Sequence, residues 1–446
     1  MPFPNLLLEV GSHELEAAET LIAIARFMII FVAARFLAEL LVRVQLPTIL
    51  GELVAGVIIG ASGLHLVLSP EVQSNLNNGL INLISDLTSV PPPEVSHLYI
   101  DSFTNLQSWA TLGLYALLFL TGLESDLEQL IAVGSQAFSV AVVGVVLPFV
   151  GGTLGLMAFF HVGTIPAIFA GAAMTATSIG ITAKVFGELN FLKTREGQTV
   201  IGAAVLDDIL GIVILAVVVA LSAGGSLEVF PIIRLLVAAA IFVGVSLFLS
   251  KTGAPIFDWV IDRLKAPGDV VVMAFIVMGG CCFAATAMGL EAALGAFAGG
   301  LILSTSKYIH RLQEAVEPIV ALFATIFFVL IGTAMDLSVL NPFDPGNREG
   351  LIMAAFLVVV AIVGKVATGW CYLSKEKTNR LVVGLGMMPR GEVGLIFLGL
   401  GSSSGVLSPP LEAAILLMVI GTTFLAPILL RLALTDQDVL PAEGTT

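Results

Sequence analysis

Apolar runs long enough to cross about 30 Å of hydrocarbon recur along nearly the whole chain. They lie near 19–42, 46–66, 105–124, 136–160, 164–186, 197–222, 230–250, 268–288, 292–306, 316–336, 350–373, 380–402 and 412–433, thirteen in all. Such a chain cannot cover a water-facing surface. Only 12% of its 446 residues are charged and its mean hydropathy is +1.04, whereas soluble domains carry about 25% charged residues. The expectation is an all-α polytopic membrane protein with thirteen transmembrane helices in a lipid bilayer. That excludes a soluble enzyme and a disordered scaffold. With 33 Asp and Glu against 19 Lys and Arg, no basic patch exists for phosphate backbones, so no nucleic-acid partner is expected. Cys281, Cys282 and Cys371 lie in apolar runs without CxxC spacing, so neither a disulfide framework nor a zinc site is indicated. The first twenty residues lack a basic n-region and do not read as a signal peptide.

The spans can be oriented by their flanking charges. With the N-terminus outside, the inner side holds Arg43, Lys184, Lys193, Arg195, Lys251, Arg263, Lys265, Lys307, Arg311, Lys375, Lys377, Arg380 and Arg431, and the outer loops hold only Arg348. This predicts a C-terminus in the cytoplasm. Loop 67–104, with Pro91, Pro92 and Pro93, reads as extramembrane with one short amphipathic helix. Residues 434–446 read as a short cytoplasmic tail. No GxGxxG-type module is seen, so no tethered nucleotide-binding domain is expected.

Ionisable residues inside hydrocarbon are costly and invite a functional or pairing explanation. Arg35 and Glu39, four apart, are expected to pair. Arg26 and Arg234, toward the outer ends of their spans, are expected to snorkel to headgroups. Glu52 either lines a cavity or pairs across helices. Asp207 and Asp208 stand in VLDDILGIVIL, midway along 197–222. Adjacent helical residues point about 100° apart, so one can meet a fixed partner while the other faces a water-filled cavity. Lys365, near the centre of 350–373, is the candidate partner.

Two spans are interrupted at the same depth. Span 164–186 carries Thr175, Thr177, Ser178 and Gly180, and span 380–402 carries Pro389, Arg390, Gly391 and Glu392. Opened backbone there is tolerated only where it is buried in protein or lines a cavity. The interrupted spans are the fifth and twelfth, matching positions in two six-span halves joined by span 7. The halves then have opposite orientation. An inverted repeat with corresponding broken helices points to a transporter site at the midplane.

The stretches LPTILGELVAGVIIG, LLFLTGLESDLEQL, AMTATSIGITAKVF, VLDDILGIVIL, FFVLIGTAMDL, the Lys365 span and MMPRGEVGLIF together resemble the monovalent cation:proton antiporter family, its NapA-type and Kef-type members in particular. The resemblance implies a NapA/NhaA-like fold with two crossed broken helices. A scaffold or dimerisation domain would comprise 1–124 and 268–336, a core ion-transport domain 136–222 and 350–433, and a linker helix 230–250. It implies a homodimer, no cofactor, and Na+ (or K+ or Li+) exchanged for H+ by elevator-type alternating access, with a charge-moving exchange expected of a member with the Asp-Asp pair. Carried over, Asp208 binds the cation or proton and Asp207 meets Lys365. Thr175, Thr177 and Ser178 can lend oxygens, while Arg390 and Glu392 stabilise the core. Plasma membrane and internal, thylakoid-type membrane fit equally. A K+/H+ exchanger of the Kef type stays open, as does a sodium-coupled symporter on the same fold. A channel wants a continuous pore rather than one closed site. An aspartyl protease wants its two aspartates facing each other from separate helices.

Overall fold

The computed structural model describes residues 12–68, 78–222, 229–264, 268–335, 337–341, 343, 347–371 and 378–434. Lys265, Lys375, Lys377 and all but the first residue of the expected tail at 434–446 lie outside the described residues. The described residues form helices and no strand. In chain order the helices are α1 (Ser12–Val42), α2 (Thr48–Ile59), α3 (Asn78–Thr88), α4 (Pro92–Asp101), α5 (Phe103–Glu124) and α6 (Leu127–Ala132). There follow α7 (Gly134–Phe160), α8 (Thr164–Ala173), α9 (Ile179–Glu188), α10 (Arg195–Ser222), α11 (Val229–Ile261) and α12 (Asp269–Ala287). The last are α13 (Ala292–Leu303), α14 (Ile309–Thr333), α15 (Arg348–Val366), α16 (Arg380–Gly386), α17 (Glu392–Ser403) and α18 (Pro409–Ala433).

Among the described residues, nine helical segments are long and apolar enough to cross a membrane. Four shorter apolar helices, Thr48–Ile59, Thr164–Ala173, Ala292–Leu303 and Val393–Ser402, fall on the second, fifth, ninth and twelfth of the expected spans. The fifth and twelfth are broken, as the Thr/Ser and Pro-Arg-Gly interruptions lead one to expect. The second and ninth differ from expectation in length. Twelve residues make a helix of about 18 Å, well short of the hydrocarbon thickness. α2 starts after Pro47 and stops at Gly60, whose extended backbone (φ −92°, ψ −151°) leaves the helix. Loop 67–104 holds two helices rather than one. Pro92 opens α4 at its first turn, where the missing N–H costs nothing. Ile81 and Ile84 of α3 bury with Val95 and Tyr99 of α4 against Ala18 and Ile22 of α1.

By internal packing the chain divides into two compact units, residues 1–113 with 321–338 and residues 114–320 with 339–446. Within the first, α2 and α14 touch backbone to backbone. A Cβ on Gly56 would overlap the Val329 carbonyl and Gly332, and a Cβ on Gly332 would overlap the Leu53 carbonyl and Gly56. Within the second, α13 and α5 make the same contact: Gly300 lies on the Phe119 carbonyl and Gly122, and Gly122 on the Phe297 carbonyl and Gly300. Gly51 lies on the backbone of Leu37 and Ala38, as Gly295 lies on that of Cys281 and Cys282. Gly51, Leu53 and Gly56 stand to Gly295, Phe297 and Gly300 at one constant displacement in sequence. Val329 and Gly332 stand likewise to Phe119 and Gly122. The two helix pairs are therefore packed by the same contact at residue level, although they share little sequence.

At the end of α11, the turn before α14 is tied down from outside the spans. Ser306 donates to Asp258 at 2.5 Å, Lys307 donates to Asp262 at 2.7 Å, and the Tyr308 hydroxyl donates to Asp262 at 2.5 Å. The last two bonds hold the Asp262 carboxyl below the usual carboxylate range.

The close glycine contacts set a measurable cost. Gly56→Ala and Gly300→Ala should each destabilise the purified protein by about 1–3 kcal/mol, the usual cost of overpacking. Gly244→Ala in α11, with open space around it, should be neutral or gain about 0.5–1 kcal/mol of helix stability. Thermal melting in detergent reads the difference. Equal melting temperatures for all three variants would refute the matched packing.

Candidate functional site

The midpoint carboxylates ride on α10, which Thr194 caps by accepting the Gly197 N–H at 3.0 Å. Asp207 is fully buried and Asp208 is 7% exposed. Lys365 is fully buried too, but its position differs from a mid-span lysine. The α-helix α15 ends at Val366 and continues as a 3-10 turn over Ala367–Cys371. Thr368 donates its hydroxyl to the Lys365 carbonyl at 2.6 Å and secures that change of winding. The ammonium thus belongs to the last turn of an α-helix, where the helix dipole favours a cation. Across from it, a Cβ on Gly144 of α7 would sit 3.3 Å from Lys365 Nζ, so the glycine leaves the ammonium its room.

The two broken helices meet at their breaks. Ser178 N–H donates to the Pro389 carbonyl at 2.9 Å. Gly391 is extended, and a Cβ on it would lie 2.8 Å from Ser178 Oγ. The backbone ends opened here are served by side chains. The Thr182 hydroxyl donates to the Gly386 carbonyl at 2.8 Å. Thr175 donates to the Ala172 carbonyl at 2.8 Å, and Ser178 Oγ accepts from Ile181 N–H at the start of α9. Arg390, fully buried, donates to the Ala176 carbonyl at 2.9 Å, and its own carbonyl accepts from Thr423 at 2.7 Å.

Thr177 joins the break to the carboxylate. Its Oγ1 lies 2.6 Å from Asp207 Oδ2, 3.0 Å from the Met387 carbonyl and 2.9 Å from Lys365 Nζ. Lys365 Nζ is itself 3.0 Å from Asp207 Oδ2. One hydroxyl has one proton. Thr177 accepts from the ammonium and donates either to Asp207 or to Met387. Asp207 Oδ2 therefore receives the ammonium and, when Thr177 turns to it, the hydroxyl as well, while its Oδ1 has no hydrogen-bond partner among the described residues.

Of the residues singled out in the sequence, Asp207, Lys365 and Thr177 come together in one buried triangle. Asp208 is the next residue on α10. Thr175 and Ser178 cap their own helix ends, and Arg390 braces the break. The side chain of Glu392 lies outside the described residues. Thr182, Thr368, Thr423 and Gly144 were not singled out. Thr182 and Thr368 carried a signal, a hydroxyl within a turn of a break or of a buried charge; Thr423 and Gly144, far in sequence from both, carried none.

Two other membrane charges differ from expectation. Arg26 does not snorkel. It is 2% exposed, stacks 3.8 Å over the Tyr99 ring and donates to the Tyr99 carbonyl and to Ser102 Oγ. Glu39 pairs with Arg43, at 3.4 Å, rather than with Arg35; both arginines are four residues from it, and the pair nearer the helix end is the one formed. Glu52 accepts from Thr325 at 2.9 Å, a contact across helices.

Residues 22–435 match the family model described as sodium/hydrogen exchanger, transmembrane. The high-affinity Na+/H+ antiporter NhaS3 of Synechocystis sp. is 47% identical over 405 residues, 91% of this chain and 88% of that protein. The Na+/H+-K+ antiporter GerN of Bacillus cereus is 32% identical over 416 residues, 92% of this chain and 96% of the relative. Among solved structures, the sodium proton antiporter MjNhaP1 of Methanocaldococcus jannaschii superposes with a TM-score of 0.62 at 17% identity, covering 93% of this chain and 97% of its own. That likeness is one of fold.

The triangle has an energetic signature. Lys365→Ala strands the Asp207 carboxylate in a dry site and should cost about 3–5 kcal/mol of stability. Pairing it with Asp207→Asn should recover part of that loss, because the two residues share one interaction. Additive losses in a double-mutant cycle, read from thermal melting, would mean the pair is not coupled.

Proposed function

The chain belongs to the sodium/hydrogen exchanger family, a family of transporters in the membrane, and from that membership we propose that it exchanges Na+ for H+ across a membrane. The observation that carries the reading is the buried triangle of Asp207, Thr177 and Lys365 between two crossed broken helices, with a second carboxylate at the next position. In this reading Asp208 receives the cation or the proton, and Asp207 is its partner, held by Lys365. Thr177 lends an oxygen, while Thr175 and Ser178 lie at the crossing within reach of the same role. Arg390 keeps the crossing rigid, and Glu392 is assigned to the same core. A hard monovalent cation takes oxygen ligands, and carboxylate, hydroxyl, carbonyl and water supply them. A carboxylate can hold a proton or a cation but not both, because the proton cancels the charge that draws the ion. Cation and proton then compete for one site, and alternating access turns competition into exchange.

The proposal extends to architecture. Thirteen crossings, with the N-terminus outside, divide into a scaffold (1–124 and 268–336) through which two copies pair and a moving core (136–222 and 350–433), joined by 230–250. Exchange is charge-moving: cation entry draws Asp207 away from Lys365, and the lysine gives up a second proton. A K+/H+ exchange is the second reading, and the printed name of GerN, which includes K+, favours keeping it.

Reconstituted vesicles test these steps. Asp208→Asn should abolish Na+-driven proton release while the protein still inserts. Retained flux would remove Asp208 from the site. Wild-type activity should fall as pH drops, because protons outcompete Na+; a flat profile from about pH 5 to 9 would end the shared-site idea. Lys365→Gln should leave exchange insensitive to membrane potential. Full exchange with unchanged charge per Na+ would refute the role of the lysine. Na+, Li+ and K+ compared in the same assay decide the cation.

A further inference from the structure

A second polar site is built within the first compact unit, from residues other than the paired aspartates. A cavity of about 510 Å3 opens between α1, α4 and α5, with Arg26, Phe27, Glu19, Asp101, Asn105 and Trp109 in its wall. Pockets of about 300–1,000 Å3 are the usual size for small organic ligands. Arg26 forms its buried base. Its guanidinium is held in place: one Nη donates to Ser102 Oγ at 2.7 Å, the other donates to the Tyr99 carbonyl, and the plane rests on the Tyr99 ring. Its Nε, though buried, has no hydrogen-bond partner among the described residues. A buried donor left unserved is costly, and a fixed guanidinium edge is suited to a phosphate oxygen. The rim is of opposite character, with Glu19 and Asp101 both exposed.

We propose that this cavity binds the headgroup of an aminophospholipid, with the phosphate on Arg26 and the primary amine between Glu19 and Asp101. Two features commit it to a lipid. The site carries one fixed cation at its base and two anions at its rim, which complements a zwitterion and repels a simple anion. The cavity also opens on α1 and α5, which belong to segments long and apolar enough to cross a membrane, so lipid is the molecule that surrounds it. Trp109 stands at the cavity wall, the place of an aromatic side chain at a headgroup boundary. The site does not depend on the exchange reading, and its test does not use transport.

Thermal melting of the delipidated full chain in detergent, with phosphatidylethanolamine, phosphatidylglycerol or soluble phosphoethanolamine added, reads the binding. Phosphatidylethanolamine should raise the melting temperature by about 2–4 °C or more, and phosphatidylglycerol, which lacks the amine, by clearly less. Glu19→Gln with Asp101→Asn should erase that preference, and these exposed substitutions leave the fold intact. Arg26→Gln should lose the response to both lipids; should it fail to fold, the rim variant decides alone. Equal shifts with both lipids overturn the proposal, as does a preference that survives the rim substitutions. Soluble phosphoethanolamine matching the lipid would also overturn it, because the occupant would then be a free headgroup.

Discussion

A helix opened at membrane depth exposes carbonyls and amides that no water serves, so every one must be satisfied from within the protein. That requirement organises the second unit. The breaks in the fifth and twelfth spans release backbone groups at 172–178 and 386–391. Thr175, Ser178, Thr182, Arg390 and the peptide of Ser178 itself answer them. Once the breaks are closed by their own neighbours, Thr177 is left with a free choice of acceptor. It divides itself between the Met387 carbonyl and Asp207. The carboxylate and the backbone break are thereby one hydrogen-bonded system, and Lys365, which touches both Thr177 and Asp207, is bonded into it as well.

The inverted repeat supplies the frame, and its asymmetry supplies the chemistry. Gly171 packs against Thr153 as Gly384 packs against Val366, and the displacement that relates these positions also relates Ser178 to Gly391. By the same displacement Thr177 corresponds to Arg390, and Lys365 to Gly152. A hydroxyl in one half answers a guanidinium in the other, and an ammonium in one half answers a bare glycine. Equivalent backbones make the crossing; unlike side chains make one side of it a carboxylate site with a cation beside it. Two identical halves would place two ammonium groups, or none, at the midplane.

The all-helical, many-span layout was legible from hydropathy alone, because hydropathy reports the solvent. The aspartate pair, the lysine and the two breaks stand out since each violates the apolar rule. The details that were not legible depend on contacts distant in sequence. Thr175, Thr177 and Ser178 are indistinguishable as hydroxyls in a four-residue stretch, and only the crossing of the other broken helix selects Thr177. Arg26 reads as a snorkelling residue because nothing in its own helix reveals that Tyr99 and Ser102, more than seventy positions away, will cover it. Lys365 reads as mid-span because apolar periodicity does not record where an α-helix tightens into a 3-10 turn. The register of the repeat was hidden for a related reason: what it conserves is close backbone approach at Gly56 and Gly300, not side-chain chemistry.

The same dry surroundings that make the triangle costly to break make it a usable coupling device. In water the attraction between Lys365 and Asp207 would be about 1 kcal/mol at contact and would not sense an arriving ion. Out of water, removing one partner leaves a charge whose penalty is several kcal/mol, and each 1.4 kcal/mol is a tenfold change in occupancy. A cation that competes for Asp207 must therefore replace what the ammonium gave, and an ammonium so displaced must lose its charge or find another acceptor. Thr177 is the adjacent group able to turn its hydroxyl proton from Asp207 to Met387 as that happens. The proposed exchange of charge thus requires no large rearrangement at the site itself; it requires that the site stay dry on the side away from the ion.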